Sequence, residues 1–119
     1  MDWDVAFHDE FEREFDRFPE GVQDSILIMA GLLAKIGPGL KRPHADTLNG
    51  SKHANMKELR CRAEDGVWRI AFAFDPKRKA ILLAAGDKAG VSEKRFYKML
   101  IATADRRFDT HLSTLRGGR

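Results

Sequence analysis

Residues 56–88 constrain the fold more than any other part of the chain, because their apolar side chains alternate as they do in β-strands. In the middle of this segment, every second position carries a large apolar side chain: Trp68, Ile70, Phe72 and Phe74. Turn-forming residues interrupt the alternation at Asp65-Gly66 and at Asp75-Pro76-Lys77-Arg78. The segment therefore predicts a β-meander, three antiparallel strands joined by two tight turns.

The same alternation predicts which side chains face away from the core. In the first strand Leu59 and Cys61 suit the core, which leaves Glu58, Arg60 and Arg62 outside. The second strand places outside the residues Val67, Arg69, Ala71 and Ala73. In the third strand the residues that suit the core are Ile81, Leu83 and Ala85, and those left outside are Leu82, Ala84, Gly86 and Lys88. We therefore expect an outer face with a shallow floor of small residues, ringed by Arg60, Arg62, Arg69 and Lys88.

This ring of cations has two interpretations. An antiparallel sheet commonly has one solvated face, and arginines on such a face are ordinary. Long cations around a floor of alanine and glycine also suit a phosphate backbone, because guanidinium groups contact phosphate oxygens in pairs. We favour the second interpretation, with RNA as the expected polyanion.

Helical periodicity flanks the meander on both sides. Phenylalanines recur along one stripe before Pro19, at Phe7, Phe11, Phe15 and Phe18, and a second apolar stripe runs to the break at Gly37-Pro38-Gly39. These patterns predict a helical hairpin, in which Pro19 ends the first helix. Residues 37–55 read as a long loop, and a last helix is capped by Ser92, with core positions at Phe96, Leu100, Phe108 and Leu112. The predicted class is α+β: the hairpin packs on a small, mostly antiparallel twisted sheet with a C-terminal helix.

Length and composition narrow the class of protein further. A chain of 119 residues fits one domain, residues 1–119. Cys61 is the only cysteine, so an internal disulfide is excluded, and no apolar run approaches the roughly 20 residues that span a bilayer. The N-terminus lacks the basic region of a signal peptide. We therefore expect a cytoplasmic protein with no membrane partner.

Charge is distributed unevenly along the chain. Residues 1–36 carry nine acidic and three basic side chains, a net of −6, whereas residues 37–119 carry nine acidic and eighteen basic ones, a net of +9. An uneven distribution of this kind is consistent with one surface that attracts nucleic acid and another that repels it.

Three ordered segments resemble the RelE/ParE toxin superfamily, most closely its phage-derived HigB-like branch. They are Met56-Lys57-Glu58-Leu59-Arg60, then Trp68 to Phe74, and then Ala80-Ile81-Leu82-Leu83 with Lys88. The resemblance implies a RelE-like fold and the toxin of a type II toxin–antitoxin pair, a ribosome-dependent endonuclease that cuts mRNA in the ribosomal A site. It also implies a cognate antitoxin, commonly a helix-turn-helix protein. Two alternatives stay open: a ParE-like poison of DNA gyrase, and a nucleic-acid-binding module without catalysis.

Metal-free cleavage of RNA needs charge stabilisation on the phosphoryl oxygens and proton transfer to and from ribose oxygens. Arg60 and Arg69 suit the first task, and Lys88 suits either. His53 is the expected acid–base group, because histidine titrates near neutral pH and this one precedes the first strand of the meander. Further RNA contacts are expected from Lys52, Lys57, Arg62, Lys94, Arg95 and Tyr97.

Other residues that could carry chemistry are expected to have structural roles instead. His8 lies among acids at the start of the first helix and is expected to be structural, and Cys61 is expected to be a core residue rather than a nucleophile. No His, Asp or Glu cluster has the spacing of metal ligands, so we expect neither a metal nor another cofactor. The HigB-like branch often has two lysines after the third strand, where this chain reads Gly86-Asp87-Lys88-Ala89-Gly90. The sequence therefore does not identify the residue that acts as general base in RNA cleavage.

Overall fold

The computed structural model describes residues 2–64 and 66–117, and in them a five-stranded sheet carries helices on both faces. The elements follow one another as β1 (Asp4–Phe7), α1 (Asp9–Phe15), α2 (Glu20–Ile36), a 3₁₀ turn (Gly37–Gly39), β2 (Ala45–Thr47), β3 (Lys57–Ala63), β4 (Gly66–Phe74), β5 (Lys79–Asp87) and α3 (Glu93–Leu115). In space the strands lie in the order β1-β5-β4-β3-β2. Only β1 and β5 are parallel among these neighbours. The predicted α+β class, with a mostly antiparallel sheet, is confirmed.

The predicted meander is present as β3, β4 and β5. Its second turn closes where the Arg78 amide donates to the Asp75 carbonyl oxygen at 3.0 Å. The Asp75 carboxylate accepts from the amides of Lys77 and Lys79, both at 2.9 Å. At the first turn, Asp65 of the predicted pair Asp65-Gly66 lies outside the described residues.

The hairpin of α1 and α2 covers one face of the sheet. Its side chains pack on alternate residues of β3 and β4, and this first core contains Phe11, Ile26, Leu33, Leu59, Ile70 and Phe72. The expected single helical stripe of phenylalanines is wrong in its extent. Phe7 ends β1, α1 stops at Phe15, and Pro19 is the residue that precedes α2 rather than the one that ends α1. The four rings still pack together, because strand, helix and turn bring them to one side.

The helix α3 covers the opposite face, so the expected open floor of small residues is wrong for most of its length. Ala71, Ala73 and Ala84 are buried beneath α3, in a second core with Leu100, Ala104 and Phe108. Small side chains on the sheet let the helix approach closely, which is why they occur there. The end of this face that carries Arg60 and Arg69 keeps partly exposed side chains.

The expected parity of β5 is wrong for Ile81, Leu82 and Leu83 and right for Ala84 and Ala85. Ile81 and Leu83 face α3, whereas Leu82 faces the hairpin. Both faces of this strand are buried, so its apolar run carries no alternation that distinguishes them. A β-bulge then shifts the register, since Ala71 pairs with Ala84 and Phe72 with Leu82. The bulge returns Ala85 to the hairpin side and Gly86 to the side of Arg69.

The connection over residues 37–55 is more ordered than a loop. It contains the 3₁₀ turn and the short edge strand β2, which was not predicted. Its last part is fastened to α3, where the Ser51 hydroxyl donates to Asp105 at 2.5 Å and the Lys52 amide donates to the same carboxylate at 3.1 Å.

The last helix begins and packs as predicted. Ser92 caps α3 by accepting from the Arg95 amide at 3.2 Å. Leu100 and Phe108 are buried in the second core, and Phe96 and Leu112 pack partly buried against it. At the C-terminus, Gly118 and Arg119 lie outside the described residues. Within the described residues, no helix combines the length and apolar character needed to span a membrane.

A buried arginine ties α3 to both the sheet and α1. The Arg107 side chain is 5% exposed, and its guanidinium donates to the Leu83 carbonyl oxygen at 2.7 Å and to the Glu14 carboxylate at 3.0 Å and 2.5 Å. These contacts fix the second half of α3 against β5.

The close approach of α3 can be tested by enlarging one alanine. Ala104→Leu places three extra carbons in a site that is 0% exposed, so we expect a loss of about 1–3 kcal/mol in the free energy of unfolding. Ala102→Leu, on the exposed side of the same helix, should change stability by less than about 0.5 kcal/mol. Urea denaturation measures both. Equal stability of the two variants would show that α3 does not pack on the sheet through Ala104.

Candidate active site

Two arginines lie side by side at the uncovered end of the sheet. Arg60 of β3 and Arg69 of β4 are directly opposite one another in the antiparallel register, on the face that α3 partly covers. Like charges at directly opposed positions repel. A nearby anion is therefore needed to stabilise the pair, either from the protein or from a ligand.

The buried carboxylate of Glu58 supplies one such anion. Glu58 is only 3% exposed. Its Oε2 accepts from Arg60 Nε at 3.1 Å and from Arg60 Nη2 at 2.8 Å, and its Oε1 accepts from the Tyr97 hydroxyl at 2.8 Å. Asp46 of β2 lies 3.8 Å from Arg60 Nη2. Glu58 therefore joins a cation of the sheet to a hydroxyl of α3.

Arg69 has fewer partners than Arg60. Its Nη1 donates to the Val67 carbonyl oxygen at 3.0 Å, and its buried Nε has no hydrogen-bond partner among the described residues. Its guanidinium carbon lies 6.0 Å from the ring centroids of both Phe96 and Tyr97. The rings hold the guanidinium group in place and leave part of its donor capacity unused.

Lys88 follows β5 and flanks the arginines. Its ammonium donates to Glu93 at 2.8 Å, and this contact lowers the pKa of the Glu93 carboxyl. Exposed ion pairs of this kind contribute little to stability, so a phosphate can replace Glu93 as the partner of Lys88. Lys94 and Arg95 are exposed in the first turn of α3, next to this pair.

Tyr97 is a phenol, not a phenolate, at neutral pH. Burial and the hydrogen bond to Glu58 raise the pKa of its hydroxyl to about 12, although the neighbouring Arg69 acts in the opposite direction. The hydroxyl proton is directed to Glu58, so the oxygen of Tyr97 acts as an acceptor, and Arg69 is one donor within its reach.

The structure does not bring His53 to the two arginines. His53 Nε2 lies 2.8 Å from Asp109 Oδ1, and its ring packs edge-on against Phe108. Asp109 is twelve residues beyond Tyr97 on α3, or about 18 Å at ~1.5 Å per residue. The expectation placed His53 near the first strand from its sequence position, whereas its loop instead runs along α3.

The other expected RNA contacts are dispersed. Lys52 pairs with Asp109, beside His53. Lys57 lines a hollow next to β2 together with Lys41 and Arg42. Arg62 is exposed and lines a hollow of about 430 Å³ between α2 and β3, which also touches Arg60. Of the expected site residues, the structure therefore places together Arg60, Arg69, Lys88, Lys94, Arg95 and Tyr97.

Sequence reasoning missed Glu58 as a functional residue. Its position two residues before Arg60 puts both side chains on one face of β3, and that spacing was the available signal. Nothing in the spacing shows that α3 buries the carboxylate and brings Tyr97 to it. His8, expected to be structural, caps α1 by accepting from the Glu10 amide at 3.1 Å.

The sequence matches known proteins over most of its length. The sequence model of the family described as "Phage derived protein Gp49-like (DUF891)" matches residues 13–109. A Mycobacterium tuberculosis protein named "Putative toxin HigB3" is 44% identical over 107 residues, which cover 90% of this chain and 91% of that protein. A second one, "Putative toxin HigB2", is 48% identical over 83 residues, which cover 69% of this chain and 41% of that longer protein.

The fold also resembles a solved structure. A mutant of the Escherichia coli toxin RelE in the free state superposes with a TM-score of 0.61, covering 86% of this chain and 96% of that one. The two sequences are 11% identical, so this likeness concerns the fold alone. It agrees with the RelE-like architecture expected from the sequence.

Cys61 can be tested as a core residue. Burial raises the pKa of its thiol from 9.0 to about 11, which reduces the thiolate fraction near pH 8 by a factor of about 100. We expect a thiol-specific disulfide reagent to label the folded protein at least about 50-fold more slowly than the protein in urea. Labelling at similar rates in both states would contradict the burial of this thiol. Since the chain has one cysteine, the signal needs no control variant.

Proposed function

Because this chain belongs to the family of phage-derived Gp49-like proteins, we propose that it is the toxin of a type II toxin–antitoxin pair and that it inhibits translation by cutting mRNA on the ribosome. The relatives named as toxins support the first part of the proposal. The arrangement of Arg60, Arg69 and Lys88 supports the second.

One observation carries the catalytic proposal. Two arginines are held directly opposite each other, and Arg69, which lies against the aromatic rings, uses one of its two terminal nitrogens to donate to the Val67 carbonyl oxygen, so that further donors of its guanidinium group remain for a ligand. Unused guanidinium donors beside a second cation form a site for an anion with several oxygens, such as a phosphodiester.

The reaction assigns a task to each cation. The 2′-hydroxyl of the ribose loses its proton to solvent water as its oxygen forms a bond to phosphorus, the bond from phosphorus to the 5′-oxygen breaks, and charge accumulates on the remaining phosphoryl oxygens. Arg60 and Arg69 stabilise that charge, because guanidinium groups stay protonated at any physiological pH. The Lys88 ammonium lies at the edge of the cluster and donates a proton to the departing 5′-oxygen.

The proposed partners follow from the toxin assignment. A cognate antitoxin neutralises the protein by direct binding, and we propose a helix-turn-helix protein as that antitoxin. The substrate is mRNA in the ribosomal A site. Lys94 and Arg95, exposed beside Lys88, supply further contacts to the phosphate backbone.

Expression of single variants in bacteria without an antitoxin tests the proposal. The wild-type protein should arrest growth, whereas Arg69→Ala and Lys88→Ala should relieve the arrest, because the first removes charge stabilisation worth about 10²–10³ in rate and the second removes a proton donor worth about 10²–10⁴ in rate. Lys77→Ala removes an exposed cation at the far end of β4 and should remain toxic. Growth curves together with immunoblots of protein level provide the measurement.

Three results would overturn parts of the proposal. Full toxicity of both Arg69→Ala and Lys88→Ala would exclude the proposed site. Induction of a DNA-damage reporter at normal translation rates would favour the gyrase-poison alternative. A protein that binds RNA without any toxicity would fit the non-catalytic alternative.

A further inference from the structure

Glu58 is buried behind the cationic site and forms hydrogen bonds to two partly exposed residues of that site, Arg60 and Tyr97. Glu58 is 3% exposed, and both of its carboxylate oxygens are engaged, one by Arg60 and the other by the Tyr97 hydroxyl. Arg60 has a side chain that is 37% exposed. Tyr97 is also partly exposed and lies against Arg69. Glu58 therefore lies behind the surface that a ligand would contact.

The direction of the Tyr97 hydrogen bond has a chemical consequence. A carboxylate can only accept, so the Tyr97 hydroxyl must donate its single proton inward. Its oxygen then offers lone pairs only, and the neighbouring Arg69 guanidinium is one donor within reach of it. A group that binds there has to be a donor, and it has to lie next to whatever anion Arg69 holds.

We propose that Glu58 is a positioning residue: it fixes Arg60 and Tyr97 as one unit and makes the Tyr97 oxygen an acceptor for the 2′-hydroxyl of bound RNA. This inference rests on the proposed RNA-cleaving function. In RNA a hydroxyl donor lies beside each phosphate, and this pairing matches an acceptor beside Arg69. DNA lacks that hydroxyl, so the same contact favours RNA at this point of the site.

The single tyrosine of the chain makes the hydrogen bond directly observable. Protein labelled with ¹³C at the tyrosine Cζ gives one signal, whose shift follows ionisation of the Tyr97 phenol between pH 8 and pH 11. The wild-type phenol should stay protonated over this range, since burial and Glu58 raise its pKa to about 12. Glu58→Gln should ionise at lower pH than the wild type. Glu93→Gln changes an exposed carboxylate in the same region and should leave the titration unchanged.

Cleavage kinetics test the positioning role. On ribosomes programmed with a defined mRNA, Glu58→Gln should lower the single-turnover rate at saturating protein at least about tenfold. The concentration for half-saturation should stay within about twofold, because the exposed cations that bind the backbone are unchanged. The double variant with Tyr97→Phe should lose less than the product of the two single losses, since both act through one hydrogen bond.

The outcomes separate the two proposals. The positioning role is wrong, and the proposed function stands, if the wild-type protein cleaves RNA and Glu58→Gln cleaves it equally fast. The same conclusion follows if the rate of the double variant falls by the product of the two single-variant losses. If the wild type cleaves nothing, the proposed function fails and the role toward RNA fails with it, whatever the titration shows. An unchanged titration in Glu58→Gln would refute the hydrogen bond itself. Should Glu58→Gln unfold, Tyr97→Phe removes the same hydrogen bond by deleting the hydroxyl group. This variant should show the same fall in single-turnover rate, with the concentration for half-saturation unchanged.

Discussion

The packing of α3 on a floor of alanines determines most of what this molecule can do. Ala71, Ala73 and Ala84 leave room for the helix, and Leu100 and Phe108 then bury their side chains against the sheet. Burial of large apolar side chains of this kind stabilises by about 1.5–3 kcal/mol each. The start of the helix also approaches the sheet closely, because Gly86 has no side chain: a Cβ there would lie 3.1 Å from the Phe96 ring.

The candidate site is a consequence of that packing. Close approach at Gly86 places Phe96 and Tyr97 over Arg69, and it brings the Tyr97 hydroxyl to Glu58, 39 residues away along the chain. The buried carboxylate in turn offsets the repulsion between two arginines that the strand register sets opposite each other. The exposed ends of these cations remain available to an anion, so stability and ligand binding depend on the same contacts.

Local patterns predicted the three strands of the meander, the capped last helix and an outer face that carries both Arg60 and Arg69, because side-chain alternation and turn chemistry are properties of neighbouring residues. They did not predict the faces of Ile81, Leu82 and Leu83 in β5, since a strand buried on both sides carries no alternation and a bulge shifts its register. They placed His53 near the arginines, although its loop is fastened to Asp109 of α3. Glu58 was missed for the same reason: its burial and its link to Tyr97 depend on where α3 lies.

The central claim is that the cluster around Arg60 and Arg69 cuts mRNA on the ribosome. Sequencing of RNA 5′ ends after brief induction, in cells that carry the wild type or Arg69→Ala at equal protein levels, tests it most directly. We expect new 5′ ends within translated codons for the wild type, absent from untranslated RNA and absent for Arg69→Ala. Unchanged 5′ ends in growth-arrested wild-type cells would contradict it.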